Sequence, residues 1–67
     1  MNKVDTEADI TPTDKLLENA IEGLTSKLAK LRVAAHQSEG ALADRITAVG
    51  DSILVEINIL KDIKGQL

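Results

Sequence analysis

The 67-residue chain carries 29 apolar residues, 20 of them Leu, Ile or Val, with no Phe, Trp, Tyr or Cys, and its 8 basic and 11 acidic residues leave a net charge of −3. A chain of this size hides only about 60% of the surface that its unfolded form exposes. Disulfides are excluded, and one His cannot supply the N and S ligands of a structural zinc site, so a second subunit is the expected source of added stability. The charge balance speaks against a protein built on phosphate contacts. The most apolar unbroken run, Ile53-Leu54-Val55, is far shorter than the roughly 20 residues that cross a bilayer. With no basic-then-apolar leader and no cysteine, the expectation is a cytoplasmic protein without membrane contact or cofactor.

Residues 1–10 mix small, polar and acidic groups without periodicity and hold −2 of the charge (Asp5, Glu7 and Asp9 against Lys3). Ordering them would cost more entropy than their few apolar atoms return, so a disordered acidic tail is expected. Order should begin at Thr11-Pro12-Thr13-Asp14, with Thr11 as N-cap, Pro12 in the first helical position and Asp14 reaching back in a capping box.

A helix is expected over residues 12–36. Leu17, Ile21, Leu24, Leu28, Leu31 and Ala35 recur at gaps of four and three and fall on one stripe. Leu16, Ala20 and Ala34 widen that stripe on one side only, while Asp14, Glu18 and Glu22 climb a flank that should be wet. Gly23 weakens the helix by about 1 kcal/mol relative to Ala. A turn is expected over residues 37–40, where Gly40 can take the left-handed conformation that ends a helix.

The period returns over residues 41–64 with Leu42, Ile46, Val49, Ile53, Ile57 and Leu60, and Leu67 beyond them prolongs it. Phase alone does not separate two helices from one long rod in a coiled coil. Charge order does: Asp14, Glu18 and Glu22 precede Lys27, Lys30 and Arg32, and Glu39, Asp44 and Asp51 precede Lys61 and Lys64, so each half matches its own helix dipole. Folding back also sets Lys61 and Lys64 near Asp14 and Glu18, and Lys27 and Arg32 near Asp51 and Asp44. One conflict remains, because Ile53, Val55, Ile57 and Ile59 alternate as β-branched residues do in a strand. Such a strand could pair only with another chain. The expected fold is therefore all-α, an antiparallel helical hairpin pairing into a dimeric four-helix bundle.

Chemistry-bearing groups are sparse. His36 is the one group titrating near neutrality and sits beside the turn without the partners that general acid–base catalysis needs. Asp14, Glu18 and Glu22 offer too few oxygens for Ca²⁺ and read as a solvated flank. Neither a catalytic set nor a metal-ligand set is expected, so the chain does not read as an enzyme. Lys27, Lys30 and Arg32, with Arg45 across the turn, could touch a nucleic-acid backbone. Aromatics for base stacking are missing, and a helix-turn-helix reading of residues 32–50 places Ala41, Leu42 and Ala43 where base edges would be read.

The second segment is apolar around most of its circumference, more than one neighbouring helix can cover. The expected function is thus a non-catalytic protein–protein interaction module, an adaptor, inhibitor or escort acting as a homodimer or higher oligomer. Its expected contact residues are Ile53, Leu54, Val55, Ile57, Ile59, Leu60 and Ile63. The alternative is a small dimeric nucleic-acid-binding regulator using the basic cluster.

Overall fold

The computed structural model describes residues 12–67; the acidic tail expected at 1–10 and the Thr11 cap lie outside the described residues. These residues form helix α1, Thr13–His36, and helix α2, Gly40–Gly65, packed along their lengths as a hairpin. Neither the single long rod nor the C-terminal strand forms. Residues 53–59 are helical because the line Ile53, Ile57, Leu60 can be buried against α1, whereas a strand would leave its backbone unpaired.

Pro12 occupies the N-cap position rather than the first helical one. Its ψ of 146° is extended, and its carbonyl accepts the Leu16 amide at 3.0 Å. Asp14 accepts a hydrogen bond from the Lys15 amide at 2.9 Å, which places a carboxylate at the positive end of α1. At the other end Gln37 donates to the Val33 carbonyl and the Ser38 hydroxyl donates to that of Ala34, so the last carbonyls are satisfied locally. Glu39 is extended and Gly40 has φ +62°. The left-handed glycine is present as expected, but it opens α2 instead of closing α1.

Among the described residues the buried apolar centre is Leu28, Ile53 and Ile57, with Ile21, Leu24 and Leu31 packed against it. The facing line of α2 differs from the expected stripe. Leu42 and Val49 are 60% and 52% exposed, whereas Ile46, part of the expected stripe, is half-buried toward α1 and Gly50, which is not part of it, is buried. At about 100° per residue, Ile46, Gly50, Ile53, Ile57 and Leu60 form the tighter line, and Leu42 and Val49 fall to one side of it.

Two antiparallel helices packed side by side make a flat layer with two broad faces. Glu18 pairs with Lys64 at 3.8 Å across the hairpin, and Arg32, His36, Thr47 and Asp51 border a common groove, so these groups mark one face as charged. The opposite face is different in kind. Turning about each helix axis away from those groups leads to Leu16, Ala20, Lys27 and Ala34 on α1 and to Leu42, Arg45, Val49, Ser52, Glu56, Ile59 and Ile63 on α2.

Candidate functional site

The apolar face is the strongest candidate site. A soluble surface normally scatters its apolar side chains, yet Leu16, Leu42, Val49, Ile59 and Ile63, all large and exposed, share one side of the layer. Leu24 and Leu31, half-buried at the seam, and the small Ala20 and Ala34 lie between them. Helix spacing explains why α1 cannot cover these groups: a residue standing a quarter turn from the packed line points along the normal of the layer, where a two-helix hairpin has no third element.

The seven expected contact residues divide. Ile53 and Ile57, 7% and 3% exposed, are covered by α1 within the same chain and are not free to meet a partner; Leu60 is half-buried. Leu54, Val55, Ile59 and Ile63 remain exposed. Of these, Ile59 and Ile63 belong to the apolar face, Val55 lies on the outer edge of α2, and Leu54 lies on the charged side. Leu42 and Val49, read from the sequence as core, belong to the candidate surface instead.

The basic residues do not converge. Lys27 and Arg45 project from the apolar face, Lys30 from the outer edge of α1, and Arg32 from the charged face, where it lines the groove with His36 and Asp51. Lys27 and Arg32 are separated by nearly half a turn of α1, so one backbone of nucleic acid cannot lie against both. Among the described residues the expected approach of Lys27 and Arg32 to Asp44 and Asp51 yields no ion pair, while the expected approach of Lys64 to Glu18 does, with Lys15 at 3.6 Å on the same carboxylate.

The groove on the charged face has a volume of about 300 Å³ and is floored by Leu28, Leu31, Ile46 and Gly50. It is wide open, and His36 stands exposed at its rim without a hydrogen-bonded orienting partner among the described residues. Asp14, Glu18 and Glu22 do not gather either: their four-residue spacing drifts around α1, and among the described residues no group of three or more potential ligands stands ready for a metal ion. Among the described residues no helix is long and apolar enough to cross a membrane. No family model, no curated protein and no solved structure matches this chain.

Proposed function

We propose that this hairpin is a non-catalytic interaction module that acts as a helical oligomer and presents its surface to a partner protein. One observation carries the reading: among the described residues nine large apolar side chains are exposed while three apolar residues are buried, and five of the nine share one face. At about 1.5 Å per residue and about 10 Å per helix, that face spans roughly 36 Å by roughly 20 Å. The resulting area, on the order of 700 Å², is close to the about 800 Å² that each partner gives to a standard protein–protein interface.

Sedimentation velocity over a micromolar concentration series tests the reading, with a dimer or larger assembly of the 7.2 kDa chain expected. A helical monomer across that range would remove it. A duplex gel shift at low salt is expected to stay blank, because the four candidate cations are spread over different sides of the layer.

A further inference from the structure

Along α2 the exposed stripe reads Leu42, Arg45, Val49, Ser52, Glu56 and Ile59, at alternating gaps of three and four residues. That repeat keeps one side of a helix against a neighbouring helix. The stripe is also its own reverse. Reflection about the peptide bond joining Gly50 and Asp51 carries Leu42 onto Ile59, Arg45 onto Glu56 and Val49 onto Ser52. On the same face of α1, reflection about Ala29 carries Leu24 onto Ala34 and Lys27 onto Leu31. The two centres stand nearly level in the hairpin, about 2 Å apart along it at about 1.5 Å per residue, because the Leu28 side chain packs over Gly50.

We propose that a second copy of this chain seats on the apolar face with its α2 antiparallel to α2 of the first, the two-fold axis crossing both helices at these centres. This inference rests on the interaction-module reading and adds the occupant and its register. The symmetry makes the contact isologous, so every pairing occurs twice. Leu42 meets Ile59 of the second copy, Val49 meets Ser52 of the second copy, and Arg45 meets Glu56 of the second copy at both ends of the contact. Opposite charges are thus matched where the stripe would otherwise bury an unpaired ion.

Charge also disfavours the other closed arrangement. Rotation about the long axis of the hairpin would lay α2 of one copy over α1 of the other. At the height of Arg45 that helix offers Ala34 and no carboxylate, so both Arg45–Glu56 pairs are lost, whereas Lys27 meets no carboxylate at its own height in either arrangement and does not distinguish them.

The test is a pair of charge reversals read by sedimentation. Arg45→Glu and Glu56→Arg each place like charges together twice per dimer and should weaken self-association by about ten- to a hundredfold. Mixing the two variants restores both opposite-charge contacts, so a heterodimer of near wild-type affinity is expected, as is a dimer of the double variant Arg45→Glu/Glu56→Arg. Recovery in the mixture also shows that each single variant folds. If the wild-type chain dimerises but the reversals leave it unchanged, or the mixture and the double variant stay dissociated, this register is wrong while the interaction module stands. A monomeric wild-type chain would overturn both.

Discussion

Gly50 lies beneath Leu28: a Cβ on the glycine would stand 3.3 Å from the Leu28 Cδ1. The Leu28 side chain takes up the space where Gly50 lacks one, and the open groove beside Leu28 leaves its terminal methyl room to shift by a few tenths of an ångström. Gly50→Ala is therefore expected to be stabilising by less than about 1 kcal/mol, the helix-propensity gain reduced by that adjustment. Gly50→Leu should instead wedge the helices apart and cost about 1–3 kcal/mol. Gly23→Ala, with open space around the added methyl, is the reference and should gain about 1 kcal/mol. Urea unfolding of the three variants checks the order.

Gly40 is constrained by the backbone rather than by neighbours. Nothing lies within 4 Å of a Cβ built there, but its φ of +62° is strained for any L side chain. Gly40→Ala is expected to cost about 1–2 kcal/mol. Gly40→Asn should cost less, since Asn adopts this conformation more readily. A loss of helicity after Gly40→Ala without any change in midpoint would contradict this account of the turn.

The core is small enough for one truncation to matter. Leu28→Ala or Ile53→Ala removes one of the three apolar side chains buried among the described residues and should cost about 2–5 kcal/mol. For a chain of this size that approaches the whole stability. Circular dichroism at low concentration, where assembly contributes least, should show either variant largely unfolded; an unchanged melting curve would mean that the buried centre lies elsewhere.

These residues also show why part of the structure could be read from letters and part could not. The number of helices and the reversal between them followed from spacing and from charges placed at helix ends, both local properties. The Leu17 to Ala35 stripe of α1 is legible because its neighbours on either side are mostly polar or small. On α2 apolar letters surround the helix, so periodicity does not say which of them α1 covers, and it points Leu42 and Val49 inward although both are exposed. The missing signal is Gly50, which reads as a gap in an apolar stripe and is in fact buried under Leu28. With the glycine counted as part of the stripe, the line becomes Ile46, Gly50, Ile53, Ile57 and Leu60. The alternation from Ile53 to Ile59 suggested a strand because β-branched side chains suit both structures, and tertiary burial of Ile53 and Ile57 decided for helix.

The Glu18–Lys64 pair joins the two helices near the open end of the hairpin, with side chains that are 45% and 36% exposed. At that exposure its contribution is modest, and Lys64→Gln should lower stability by less than about 1 kcal/mol. Raising the salt concentration should shrink the difference between wild type and variant. A larger or salt-independent loss would mean that the Lys64 stem, half-buried against α1, matters through packing.

Ile59 and Leu54 separate assembly from folding. Both are exposed, at 53% and 37%, on the same helix, but Ile59 stands on the apolar face and Leu54 on the charged one. Neither contributes to the buried centre, so Asp at either position should leave the helical signal of the monomer intact. Ile59→Asp places a carboxylate where Leu42 of the second copy would sit and should abolish self-association at micromolar concentration, whereas Leu54→Asp should leave it unaffected. Val55→Asp, at the outer edge of α2, should fall between them. Equal effects of the Ile59 and Leu54 substitutions in sedimentation would mean that association does not use the Leu42–Val49–Ile59 side of the hairpin, because a face-specific contact cannot respond alike to charges placed on opposite sides of the layer.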